Sequence, residues 1–310
     1  MGVFVFLPLV LPLTAWPVAR LAEHHLHPRA ATWLLSAVAA VLAVCSTLCL
    51  GLLVVVGTAQ LPGNPLPDGW SDPEVRAAVP HDEVAGRIAI PALVVVVAAC
   101  TVTAWRHLRV RRRAERALGG LAGSSVAVLP DPSPYAYALP GRRDRIVVTT
   151  GMLAGLSSGE RRALFAHERA HLDGRHHRFL LTVRLAARAN PFLRPLRTAV
   201  VHSTERWADE EAAEAVGSRR TVARAVGKSA LISRGSPVVP LAHFADAAGP
   251  VPRRVAALLG PAPSPRIWPP AFTAVGLAAW GATAGTTVSA LSSANAAVTL
   301  FFILHAATPM

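Results

Sequence analysis

Apolar positions along this chain fall into two patterns, long unbroken runs and short periodic ones. Crossing the hydrocarbon core of a bilayer as a helix takes about 20 predominantly apolar residues. Runs of that length lie at 2–19, 31–57, 86–105 and 269–290. A further apolar stretch, 295–306, is too short to span alone and is expected to extend the last helix or to lie in the interface. The first run starts without positive charge and passes through Pro8, Pro12 and Trp16-Pro17 to Arg20 with no small-residue cleavage site, so it reads as a retained span, not a signal peptide. Between 106 and 267 the runs shorten. Ser125–Leu129 and Arg145–Thr150 read as strands by β-branched enrichment, and Tyr135–Leu139, which stops at Pro140-Gly141, reads as an edge strand. Ser157 followed by Glu160 is a capping-box signature, and it opens an apolar-periodic helix through His171. Residues 178–200 are amphipathic and broken at Asn190-Pro191 and Pro195; a further helix is expected over 201–216, ending at Gly217, and a short one at 252–259. The remainder of 234–267 reads as loop.

Composition sharpens this division. Of 310 residues, 52% are hydrophobic and 16% charged, with a mean hydropathy of +0.41, whereas soluble domains carry about a quarter charged residues. The formal net charge of +13 invites a nucleic-acid reading. The basic residues lie beside apolar spans and not among aromatics, however, so no nucleic-acid partner is expected. Arg106, Arg109, Arg111, Arg112, Arg113 and Arg116 follow the third run, while 58–85 carries Asp68, Asp72, Glu74, Asp82 and Glu83 against Arg76. Positive residues stay on the cytoplasmic side. The expected architecture is therefore a multi-span α-helical membrane protein. Residues 1–105 form three transmembrane helices with a short external loop at 58–85, 106–267 form one cytoplasmic domain with its own core, and 268–310 form a C-terminal transmembrane helix and apolar tail. Cys45, Cys49 and Cys100 lie inside apolar runs as small buried hydrophobes, without the pair spacing of a zinc site.

The chemistry lies in Ala166-His167-Glu168-Arg169-Ala170-His171. Residues four apart share one face of a helix, so both imidazoles can reach one metal ion, and Glu168 stands where it can take a proton from a metal-bound water. A catalytic zinc takes three protein ligands and keeps one position for water. The helix Glu205-Arg206-Trp207-Ala208-Asp209 offers two carboxylates four apart, one to ligate and one to support a ligating histidine, and His202 lies on the same stripe.

Ala136-Tyr137-Ala138-Leu139-Pro140-Gly141, the His-Glu-Arg-Ala-His helix and Glu-Arg-Trp-Ala-Asp, in that order, resemble the integral-membrane gluzincin peptidases, which include the HtpX type and the β-lactam-sensor (BlaR/MecR-like) type. The similarity covers roughly 106–260, and the flanking spans fit the second type better. It implies a zincin-like α+β, mainly helical, metallopeptidase domain with one zinc ion on His167, His171 and Glu205. It further implies Glu168 as catalytic base, Asp209 as supporting acid, and the strand Tyr135, Ala136, Tyr137, Ala138 and Leu139 beside the substrate. Pro252-Arg253-Arg254-Val255 resembles the late arginine-containing helix of these families. The sensors' extracellular penicillin-binding domain has no counterpart here. The expected activity is hydrolysis of a protein or peptide substrate at the cytoplasmic membrane face, with a repressor-type or membrane protein as a family-based substrate class. A non-catalytic zinc-binding receptor or scaffold is the rival reading; a transporter would carry ionisable residues inside the spans, which are essentially free of them. His176 and His177 follow the motif helix at an angular offset that points them away from the metal, as a solvated basic patch. His24, His25 and His27 read as headgroup-level polar residues.

Overall fold

The computed structural model describes residues 7–59, 82–117, 125–141, 143–234, 251–264, 270 and 272–306. Most of the expected external loop therefore lies outside the described residues, as do 118–124 and 235–250.

The amino-terminal segment is helical but broken. Helix α1 (Leu7–Val10) gives way to a 3-10 turn over Leu11–Thr14 and then to α2 (Ala15–His25). Pro12, at the start of the turn, cannot donate to a continuing ladder. The expected span at 2–19 is thus, over its described residues, a chain of short pieces. Among the described residues, three helices are long and apolar enough to cross a membrane: Pro28–Val55 within α3 (Pro28–Ala59), Gly86–Ala117 within α4 (Asp82–Ala117), and Val275–Ala306 in the carboxy-terminal helix. Glycines let α3 and α4 cross at backbone contact, since a Cβ on Gly57 would overlap Gly86.

Beyond α4, β1 (Val126–Leu129), β2 (Ala136–Leu139) and β3 (Arg145–Thr149) form a sheet in the order β1-β3-β2. β1 runs parallel to β3 and β2 antiparallel to it, with Tyr137 opposite Val147, so the expected edge strand is at an edge. One face packs on Ala114 of α4; the other packs on Met152 of α5 (Thr150–Ala154), Leu156, and Leu164 of the motif helix.

The motif helix α6 (Ser158–Asp173) starts at a complete capping box. It is followed by α7 (His176–Ala189), a 3-10 turn over Pro191–Leu193, and α8 (Arg194–Val216). Pro195 lies in the first turn of α8, where a missing N–H costs nothing, so the helix expected from 201 starts seven residues earlier. Gly217 ends it at φ 71°, in the left-handed region. Ser218 caps α9 (Arg219–Ile232), and α10 (Val251–Leu259) packs against α9 and α8 through Leu258, Val222 and Ala212. The last helix, α11 (Ala274–Ala306), is continuous, which places 295–306 as its extension.

Besides apolar clusters of its own, the segment 106–267 shares a core with the apolar helices. The largest apolar cluster joins Ala15, Ala19 and Ala22 of α2 and Leu35, Val38, Leu42 and Ala43 of α3 to Phe179, Val183 and Ala186 of α7 and Leu196, Ala199, Val200 and Trp207 of α8. The amphipathic face of 178–200 is satisfied by the apolar helices, not by a core of its own.

Candidate metal centre

Helices α6 and α8 pack side by side and bring His167, His171 and Glu205 together, with one ligand atom of each within 4.8 Å of the others. The Nε2 atoms of His167 and His171 face each other at 3.1 Å. His167 Nε2 lies 3.5 Å from Glu205 Oε2, and His171 Nε2 lies 3.5 Å from Glu205 Oε1. Two ligand atoms bound tetrahedrally to zinc at about 2.0–2.1 Å stand about 3.3–3.4 Å apart. The histidine pair is close to that spacing, and each histidine faces its own oxygen of the Glu205 carboxylate at 3.5 Å.

What stands behind these residues sets their orientation. His167 Nδ1 lies 3.1 Å from Asp209 Oδ1, a close ionic contact without the alignment of a good hydrogen bond. His171 Nδ1 lies 2.8 Å from His176 Nδ1. Both outer nitrogens are thus engaged, and both Nε2 atoms are left to the common point. Arg254, from α10, forks onto Asp209 through Nε at 2.8 Å and Nη2 at 2.6 Å, and its Nη1 lies 2.7 Å from Glu205 Oε2. All of these side chains are buried or nearly so.

Two of these partners correct the sequence reading. His176 is not part of a solvated patch; it is buried and packs on the Trp207 ring at 4.4 Å between centroids. A continuous helix would turn it away from His171, but Arg175 adopts φ 49° and reverses the chain between α6 and α7. Gly174 leaves room for the ring, since a Cβ there would stand 2.5 Å from His176 Nε2. Arg254, on a helix with no role assigned from sequence, is the cation that balances the site's carboxylates. His177 is half-buried and lines the cavity at the centre. His202 turns to a separate cleft with His24, His25, His27 and Arg206.

The electrostatics follow from burial and these pairings. Burial works to lower the His167 pKa, yet Asp209 and Glu205 outweigh it and push it up to about 10. A positive charge is therefore favoured where the carboxylates converge. Burial takes His171 down to about 4 and His176 down to about 2, so both rings stay neutral near pH 7. A neutral His176 can accept the His171 Nδ1–H, which fixes the tautomer that leaves Nε2 free as a ligand. Burial opposes ionisation of Glu205 and Asp209, but Arg254 and the imidazoles hold both below their usual range. Burial raises Glu168, against the neighbouring His167 and a hydrogen bond from the Ala138 N–H.

A cavity of about 260 Å³ opens on this cluster. Its walls include Ala136, Tyr137 and Ala138 of β2, with Met152, Leu164, Leu180, Val222 and Val226 on the apolar side. The strand expected beside the substrate therefore borders the cavity, apart from Tyr135 and Leu139, which do not line it. Donor set, spacing and outer-shell contacts all fit a zinc ion.

Residues 101–211 match the family model of peptidase family M48. The matched segment contains the His-Glu-Arg-Ala-His helix, Glu205 and Asp209; Arg254 lies beyond it. M48 peptidases are zinc-dependent, and the match supports a zinc metallopeptidase in a chain with three apolar helices. No curated protein and no solved structure matches the chain.

Proposed function

We propose that this chain is a membrane-bound zinc endopeptidase with His167, His171 and Glu205 as the metal ligands and Glu168 as the catalytic base. The observation that carries this is the convergence of one ligand atom each from His167, His171 and Glu205 within 4.8 Å of one another beside Glu168, with Asp209 and His176 engaging the outer nitrogens of the two histidines. Bound there, zinc supplies Lewis acidity toward the scissile carbonyl and acidifies the attacking water. Glu168 takes the water's proton and delivers it to the leaving amine. The open edge of β2 offers backbone groups to an extended substrate, which would lie as an added strand beside α6. The Ala138 N–H, held by Glu168, ties the base to that strand. A repressor-type or membrane protein remains the proposed substrate class, with a regulatory cut as its outcome.

Glu168→Gln tests this reading because the glutamate is not a ligand. The variant should remain folded and zinc-loaded while losing about two to four orders of magnitude in rate, and peptide termini present in wild-type cells should disappear from its cells. Unchanged termini with zinc retained would favour the non-catalytic scaffold. The arginine cluster at 106–116 supports a cytoplasmic catalytic face. A reporter fused after residue 120 should behave as cytoplasmic and one near Asp68 as external; the reverse would move the substrate pool outside the cell.

A further inference from the structure

The α7–α8 hairpin runs alongside the apolar helices, and its depth can be read from side-chain contacts. Three exposed tryptophans mark one level, Trp16 at 60%, Trp105 at 54% and Trp280 at 64%, and a fourth, Trp33 at 56%, lies further toward the catalytic side. The Arg20 guanidinium lies 5.3 Å from the Trp16 ring and that of Arg109 4.8 Å from Trp105, each one turn toward the catalytic side. Amphipathic rings over arginines are the pattern of a membrane boundary. Two independent counts place this level relative to Ser46. From the Gly57–Gly86 crossing, nineteen residues lead to Val38 on α3 and nineteen to Trp105 on α4, and Ser46 lies eight residues beyond Val38. Ser46 Oγ also donates to the carbonyl of Pro8 at 3.2 Å, and Pro8 lies eight residues from Trp16. The eight residues from Val38 to Ser46 lie in one continuous helix and rise about 12 Å, whereas those from Pro8 to Trp16 cross the 3-10 turn and give only the direction of the displacement.

The hairpin reaches this depth. Cys100, five residues inside Trp105, donates its thiol to the Leu185 carbonyl at 3.7 Å. Asn190 Nδ2, at the tip, donates to Ser46 Oγ at 3.1 Å, and its Oδ1 accepts the Phe192 N–H. The polar tip is thereby satisfied within protein, the condition on which non-helical backbone is tolerated at membrane depth. Phe192, beside it, is 56% exposed. Arg188 and Arg194 flank the tip and are exposed; their long stems can return the guanidinium toward the phosphates.

We propose that the α7–α8 hairpin is a re-entrant element whose tip, from Asn190 to Arg194, lies inside the leaflet on the catalytic side, with lipid acyl chains covering Phe192. The hairpin's base carries His176 and Glu205. From Arg194, where α8 starts at the tip, eleven residues of continuous helix lead to Glu205 and rise about 16 Å, more than the depth of the tip, so the metal centre lies outside the tryptophan level. The ring contacts of Trp33 with Phe179 and of Arg29 with Trp207 place the helices that carry the centre about 8–14 Å outside that level, because Trp33 and Arg29 lie five and nine residues below Val38. Granted the peptidase reading, the scissile bond lies within three or four extended residues, at about 3.3 Å each, of where a substrate leaves the bilayer.

An environment-sensitive fluorescent amino acid incorporated at position 192 of the full chain in proteoliposomes tests the depth independently of catalysis. Position 95, on the exposed face of α4, serves as the bilayer reference, and exposed position 215 as the aqueous reference. The fluorophore at 192 should be quenched by mid-chain brominated lipid at least half as strongly as at 95, and be protected from iodide. Quenching by brominated lipid no greater than at 215, with 95 still quenched, would overturn the re-entrant hairpin and leave the peptidase reading standing. An unquenched fluorophore at 95 would overturn the membrane frame itself.

Discussion

Two imidazoles meeting at Nε2 need their other nitrogens held, and the chain does this asymmetrically, with a carboxylate behind His167 and a neutral imidazole behind His171. This predicts an order of metal affinities. Glu205→Ala removes a ligand and should empty the site. Asp209→Asn and His176→Ala remove only what orients the ligands and should each weaken zinc about 10–100-fold. His202→Ala, in its separate cleft, should leave affinity unchanged. Zinc titration of the purified variants gives the order; an empty site in His202→Ala with a loaded Glu205→Ala would mean a three-histidine centre. At this scale the sequence was legible where chemistry depends on short spacing. His167, Glu168 and His171 share one turn-spaced stripe, and Glu205 and Asp209 share another. It was illegible where geometry depends on one residue leaving the helix. Nothing in Gly174-Arg175-His176 announces that Arg175 takes the left-handed turn that swings His176 back. Arg254 was illegible for a different reason: its partners lie on another helix 45 and 49 residues away, and no periodicity connects them.

The elements that carry the site start and stop on local signals that are legible in the sequence. The Ser157–Glu160 box sets the first turn of α6 and thereby the direction of the histidine stripe. Glu160 accepts the Ser157 N–H at 2.8 Å and Lys228 Nζ at 3.2 Å, which links α6 to α9. The Ser157 backbone N–H, with Lys228 adding to it, lowers the Glu160 pKa against the effect of burial. A carboxylate with a depressed folded-state pKa contributes stability that is present above its unfolded value of about 4.3 and is lost as pH falls through the folded one. Ser157→Ala should therefore cost about 1 kcal/mol at neutral pH, lowering Tm by about 2 °C. The stability gap between wild type and Glu160→Gln should close as pH falls below about 4. A gap independent of pH would show that the glutamate acts by shape and not by charge. Helix boundaries next to proline were the weak point: Pro195 reads equally as a break or as a first-turn residue, and only the docking of α8 on α3 decides between them.

At the scale of the molecule, the apolar helices and the segment 106–267 share a core, because residues 178–200 carry an apolar face beside their arginines. Arginines at 178, 184, 188, 194 and 197 mark the polar face of this amphipathic segment. Phe179, Val183, Ala186, Leu193, Leu196, Ala199 and Val200, between those arginines, are buried in the cluster that includes Leu35, Val38 and Leu42. Large buried side chains contribute about 1.5–3 kcal/mol each when removed from water. A domain net of only about 5–15 kcal/mol cannot lose several of them and remain folded. The fragment 106–267 expressed alone should therefore expose this face, aggregate or unfold, and fail to retain zinc, although every ligand is present in it. Adding α2 and α3 through a fusion that restores 7–59 should recover zinc binding in detergent. Size-exclusion profiles and zinc content of the two fragments decide the matter: a monodisperse, zinc-loaded 106–267 would show that the catalytic helices carry a sufficient core of their own, and that the contacts with α2 and α3 position the site at the membrane without holding it together.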